Sequence, residues 1–260
     1  MVRPEHPRGA SRGARGRVRG MSKALASDVA MVLSAGLGKR MRPLTATRPK
    51  PLVHVAGKPL IDHSLDKLQE PGVARAVVNV HYLADAMEAY LAQRKDPQIL
   101  ISDEREELLE TGGGMVKALP LIGTDPFFAL NSDNIWLDGP RNVFQHLSDH
   151  WDAERMDALL LLVPHARAFN YRGKGDFHMD ALGRISRRRS GRVAPFIYSG
   201  IQLVSHRLLR DAPEGAFGTM KLWERAIGEG RLFGVSHLGL WYEVGEPGMI
   251  APTEAALRQD

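Results

Sequence analysis

No cysteine occurs anywhere in this chain, which excludes disulfides, thiolate metal sites and a cysteine nucleophile. No apolar run reaches the ~18 residues that a membrane-spanning helix requires, and none near the start forms the apolar core of a secretory leader. A cytoplasmic protein with no membrane partner is the expectation. No histidine pair flanks a glutamate in the His-Glu-x-x-His manner of a zinc hydrolase. His146 and His150 stand four apart, the spacing of one helix face, and an ordinary exposed helix accounts for them.

A broad basic face is also missing, although the formal net charge is +5. Residues 1–20 hold six arginines against the single acid Glu5, and removing them leaves 29 basic and 29 acidic residues. A neutral body argues against a nucleic-acid partner. Residues 1–20 are rich in Arg, Gly and Pro with almost no large apolar side chains, and read as a disordered basic extension. An arm for nucleic acid or for targeting is the other reading of that segment. Residues 22–260 contain no linker-like stretch and no internal repeat, and read as a single domain. Monomer and homodimer are both compatible with them.

What the chain does have is a rhythm of apolar strands and amphipathic helices. Strands are expected at 29–34, 76–80, 98–102 and 127–131, with helices at 60–69, 83–93 and from 113 to 119. The run 127–131 is short and almost wholly apolar, as strands buried in parallel sheets are. Later strands are expected at 158–163, 197–204 and 232–235, with helices at 220–227 and 253–258. This βαβα order predicts an α/β fold: a Rossmann-like, mostly parallel open sheet with helices on both faces. Ligands then gather along the edge where the parallel strands end.

Three segments carry the chemistry. The first, Ser34-Ala35-Gly36-Leu37-Gly38-Lys39-Arg40-Met41-Arg42-Pro43-Leu44-Thr45, follows the first strand and leads to Pro49-Lys50-Pro51-Leu52. Its glycines let the backbone turn and bring N–H groups near an anion, while Arg and Lys add full positive charge for phosphate oxygens. The P-loop spacing is absent, and Met41 stands where a dinucleotide fingerprint needs its third glycine. The second is Asn131-Ser132-Asp133-Asn134, which puts a carboxylate at the end of a buried strand, either as a turn cap or at the ligand edge. The third is Leu109-Glu110-Thr111-Gly112-Gly113-Gly114, either a flexible loop or a backbone surface at a helix start for a flat ligand. The arginine-rich stretch 184–192 reads equally as an anion site or a solvated hairpin tip.

The first segment resembles the signature loop of the sugar-1-phosphate nucleotidylyltransferases, in which Ala-Gly-x-Gly-x-Arg-hydrophobic-x-Pro-Leu-Thr precedes Pro-Lys-Pro-Leu. The resemblance extends from about residue 29 to 245. It implies the nucleotide-diphospho-sugar transferase type of sheet and a reaction that joins a sugar 1-phosphate to a nucleoside triphosphate, releasing pyrophosphate. Carried over residue by residue, Arg40 and Lys50 are the catalytic cations. Ser34, Ala35, Gly36, Gly38, Lys39 and Arg40 would bind the nucleotide, with Glu110, Thr111, Gly112 and Gly113 against its base. Asn134, Gly175 and Asp176 would hold the sugar phosphate, and Asp133 and Glu243 would bind Mg²⁺.

The segments Glu110–Gly114 and Arg172-Gly173-Lys174-Gly175-Asp176-Phe177 are similar to the family branch that works on N-acetylmuramate 1-phosphate with UTP, in cell-wall recycling. Mannose-1-phosphate guanylyltransferases and glucose-1-phosphate nucleotidylyltransferases share the phosphate loop and remain the alternatives. One departure stands out: the family's late Asp-Val-Gly-Thr is here Glu243-Val244-Gly245-Glu246. The longer carboxylate could reach Mg²⁺ through a shifted backbone, through water, or not at all. That change also leaves open a silent nucleotide-sugar sensor.

Overall fold

The computed structural model describes residues 24–259. The expected extension at 1–20 lies outside the described residues. The first half alternates as the apolar pattern requires. It contains β1 (Val29–Leu33), the small hairpin β2 (His54–Val55) and β3 (Lys58–Pro59), α1 (Leu60–Gln69), β4 (Arg75–Val80) and α2 (Ala84–Leu91). It continues with β5 (Gln98–Asp103), α3 (Glu110–Ile122), β6 (Phe127–Asn131) and β7 (Asn134–Leu137). The second half adds α4 (Val143–His150), β8 (Ala158–Pro164), β9 (Ala168–Phe169), β10 (Phe177–Met179), β11 (Ile185–Arg187) and β12 (Phe196–Val204). It ends with α5 (His206–Leu209), α6 (Met220–Gly228), β13 (Leu232–Ser236), β14 (Leu240–Glu243) and α7 (Ile250–Leu257).

The main sheet runs β11-β10-β12-β6-β1-β4-β5, with β8 also paired to β12 and β13 paired to β8. Strands β6, β1, β4 and β5 are mutually parallel, so the nucleotide half has the expected Rossmann-like arrangement. Strand β12 joins β6, β8 and β10 antiparallel, which makes the sheet mixed beyond that point. Alternate residues of β1 serve opposite faces. Ala30 and Val32 pack with α1, α2 and α4 through Ile61, Leu65, Met87 and Phe144, whereas Val29 and Met31 pack with α3 and α6 through Met115, Ile122 and Trp223.

A second, three-stranded sheet, β7-β14-β9, stands beside the first, over a small core of Met41, Val53, Leu60, Ile135 and Tyr242. Its antiparallel register sets Glu243 opposite Asn134. Sequence periodicity did not reveal these strands, which are only two to four residues long.

Two local expectations change. Helix α3 starts at Glu110 and takes in all three glycines and Pro120, because close packing outweighs their poor helix propensity. His146 is buried rather than exposed: its Nε2 lies 3.1 Å from the Ser236 carbonyl, which ties α4 to the sheet. Among the described residues, no helix is long and apolar enough to cross a membrane.

Candidate active site

The loop after β1 folds onto the segment carrying Lys50. Gly38 has φ +61°, and a Cβ there would lie 3.0 Å from Lys50 Cβ and 3.1 Å from Thr45 Cγ2. The glycine therefore permits both the turn and the contact. Thr45, itself buried, donates its hydroxyl to the Gly38 carbonyl at 2.8 Å, and Tyr82 donates to the Thr45 carbonyl at 3.0 Å. At the other end of the loop, Ser34 N donates to Asn79 Oδ1 at 2.7 Å, and the Ser34 hydroxyl donates to the Asn79 carbonyl.

This loop forms one wall of a cavity of about 610 Å³, with Ser34, Ala35, Gly36, Gly38, Lys39 and Arg40 all on its surface. Leu108, Glu110 and Thr111 form a second wall, and Lys50, Asn131, Ser132 and Asp133 line the cavity too. That volume suits a nucleotide. A second cavity of about 230 Å³ adjoins it, lined by Asn134, Tyr171, Asp176, Tyr198, Trp241 and Glu243. Arg40, Asn131, Asp133 and Gly245 line both.

The junction is where charge concentrates. Lys50 Nζ lies 2.5 Å from Asp133 Oδ2, in the turn between β6 and β7. Glu243 comes in from the end of β14. Burial is the main reason its carboxyl titrates above the ordinary range, and the negative charges of Asp133 and Glu246 push the same way. Arg40 and Lys50 oppose that rise. Gly245 leaves room for Arg40: a Cβ there would lie 3.1 Å from a guanidinium nitrogen and 3.6 Å from Glu243 Oε1.

Among the described residues, no group of three or more His, Asp or Glu could hold a metal by itself. Two carboxylates close enough to act on each other, where the two cavities meet, do fit Mg²⁺, which is usually held by one or two carboxylates together with substrate phosphates. Asp133 and Glu243 are the two that could contribute.

Not every expected residue reaches a cavity. Gly112 and Gly113 lie behind the wall, and both their N–H groups donate to the Phe217 carbonyl, at 2.8 and 3.2 Å. A Cβ at Gly112 would overlap the Phe217 ring, and one at Gly113 would overlap the Gly215 carbonyl. The glycines thus admit the loop at 215–219, and Thr219 fastens that loop by donating from its N and hydroxyl to Thr111 Oγ1. Gly175 also lies off the cavity surface. Its N donates to the Tyr171 hydroxyl, and its carbonyl accepts from Arg188 Nε at 2.8 Å. Asp176 does line the small cavity, where Oδ2 also accepts from Tyr198 N at 2.9 Å. The arginine-rich stretch divides: Arg188 folds back onto its own turn, and Arg187 pairs with Glu224. Asn79, Tyr171, Tyr198 and Trp241 were not anticipated as lining residues. Of these, Asn79 had a visible signal, a polar residue inside the apolar run Val77-Val78-Asn79-Val80.

A parallel sheet edge with a glycine-rich cationic loop, facing an acidic pair across two joined cavities, defines a nucleotide-binding transferase site. The nucleotidyl transferase family model matches residues 29–185, so the chain belongs to that family, among its sugar-1-phosphate nucleotidylyltransferases. It is 44% identical over 238 residues to the N-acetylmuramate alpha-1-phosphate uridylyltransferase of Caulobacter vibrioides, covering 90% of this chain and 98% of the relative. The protein of the same description from Neisseria meningitidis serogroup B is 33% identical, over 83% of this chain and 92% of that one. Among solved structures, the inositol-1-phosphate CTP transferase of T. maritima superposes with a TM-score of 0.71 at 17% identity, covering 90% and 96% of the two chains.

Proposed function

We propose that the chain joins N-acetylmuramate 1-phosphate to UTP, forming UDP-N-acetylmuramate and releasing pyrophosphate. The observation that carries this reading is the pair of adjoining cavities, one of nucleotide size and one of sugar size, which share Arg40 and Asp133 at their junction. The choice of sugar and base rests on the 44% identity to the Caulobacter vibrioides uridylyltransferase, which extends along nearly its whole length.

The acceptor phosphate is already an anion at neutral pH, so its attack on the α-phosphorus needs no general base. The barrier is the approach of two anions and the charge that builds on the leaving pyrophosphate, and catalysis is alignment plus charge neutralisation. The backbone from Ser34 to Gly38 cradles the triphosphate, and Lys39 adds charge at its rim. Arg40 and Lys50 neutralise phosphate oxygens where the cavities meet. Asp176 and Asn134 orient the sugar. Mg²⁺ at Asp133 and Glu243 would supply Lewis-acid charge to phosphate oxygens. A triphosphate substrate also fits a cytoplasmic location.

The test is a matrix of the four nucleoside triphosphates against N-acetylmuramate, mannose and glucose 1-phosphates with Mg²⁺, read as pyrophosphate release. Preference for UTP with N-acetylmuramate 1-phosphate is expected. Preference for GTP with mannose 1-phosphate would overturn the substrate assignment, and no release with any pair would leave only a binding protein.

A further inference from the structure

We infer that Glu104 is a positioning residue that holds the two walls of the nucleotide cavity at a fixed separation. This rests on the reading of that cavity as a triphosphate site.

Glu104 follows β5 and is fully buried, yet it does not line either cavity. Its side chain makes no ion pair with Lys or Arg among the described residues; both oxygens instead accept from neutral N–H groups. Oε1 accepts from Asn79 Nδ2 at 2.8 Å, and Oε2 accepts from Leu109 N at 3.2 Å. A buried carboxylate without a cationic partner carries a desolvation cost that an apolar residue would avoid. Its position shows what the cost secures.

The two donors belong to two separate segments of the lining: Asn79 lines the cavity itself, and Leu109 lies between the lining residues Leu108 and Glu110. With its Nδ2 engaged by Glu104, Asn79 turns Oδ1 toward Ser34 N, at 2.7 Å, where the phosphate loop leaves β1. Leu109 immediately precedes Glu110 and Thr111, which line the other wall. The backbone of Glu104 adds to the same knot: its N donates to the Val80 carbonyl at 2.8 Å, and its carbonyl lies 2.7 Å from His81 Nδ1. The third glycine of the helix then has a reason. A Cβ at Gly114 would lie 2.8 Å from Glu104 Oε1 and 3.0 Å from Asn79 Nδ2, so only glycine leaves space for the knot.

The chemistry demands a carboxylate. Two N–H donors approach two different oxygens, so the position takes a side chain with an acceptor at each of its two terminal atoms. A glutamine of the same shape offers one acceptor and one donor, and must set an N–H against either Asn79 Nδ2 or Leu109 N.

The experiment measures triphosphate affinity and steady-state constants in Glu104→Gln, with Gly114→Ala as a second way of disturbing the same contacts. UTP binding by titration calorimetry should weaken about tenfold or more, as for loss of a buried hydrogen bond to a charged group. The KM for UTP should rise in step, while the KM for the sugar phosphate stays within about twofold of the unaltered chain. A merely structural role would lower Tm and leave both KM values of the folded enzyme unchanged. Unaltered UTP affinity in both variants, or equal rises in the two KM values, would overturn the inference. If the unaltered chain binds none of the four triphosphates, the nucleotide reading itself fails, and this inference with it.

Discussion

The Lys50 ammonium lies 2.5 Å from Oδ2 of Asp133, across 83 positions of sequence. The contact joins the cationic segment of the first half to the turn after β6, at the point where both cavities open. Lys50→Ala and Asp133→Ala should each lower turnover by about 10²–10³, the scale of losing one preorganised charge contact. Pyrophosphate release measures the loss, and far-ultraviolet circular dichroism should show the fold intact. Asp133→Ala should retain triphosphate binding better than turnover, because the Ser34–Gly38 backbone is untouched.

Gly245 is expected to matter through its neighbour. Replacing it with alanine sets a methyl group about where the Arg40 guanidinium approaches, 3.1 Å from a nitrogen. The arginine must move, and kcat/KM should fall by about tenfold. In the Arg40→Ala background the same change should cost almost nothing, since coupled residues do not add. Additive losses would mean that Gly245 acts on something else.

Phe217 seals the back of the α3 wall, 2% exposed against Gly112. Phe217→Ala should destabilise the protein by about 3–5 kcal/mol, as for other buried phenylalanines. Urea unfolding would register it as a lower midpoint.

Acid should weaken the fold through three imidazoles, buried His146 and His237 and half-buried His63. Burial holds His63, His146 and His237 below the ordinary histidine value of 6.5. The folded state then binds fewer protons than the unfolded chain, so this stability is complete above about pH 6.5 and is lost as the pH falls below it. Thermal melts from pH 7 to pH 5 should show Tm declining. His63→Gln keeps a donor for the Val55 carbonyl, 2.9 Å from Nε2, and cannot charge, so its decline should be shallower.

Much of this was readable from residue order. The apolar runs located β1, β4 and β6, because strands buried on both faces have little sequence freedom, and the half-buried edge strand β5 was found by its shorter apolar run. Helix α1 and strand β6 have the bounds expected from sequence. The phosphate loop was legible because its chemistry needs particular residue types at short range. The sheet β7-β14-β9 was not, since its strands are too short for a period and pair across roughly a hundred residues. The close packing of the α3 glycines was hidden for a related reason: Gly112 meets Phe217 and Gly113 meets Gly215, far along the chain, and no local pattern encodes that. Glu104 stands among several acids at 103–107, and no local pattern singles it out.

Because β14 delivers Glu243 by pairing with β7, the two carboxylates, Asp133 and Glu243, come from segments far apart in the sequence. A nascent or truncated polypeptide ending before Leu240 could already have every residue of the phosphate loop and still lack this carboxylate. The carboxylate therefore reaches the junction only where β14 pairs with β7.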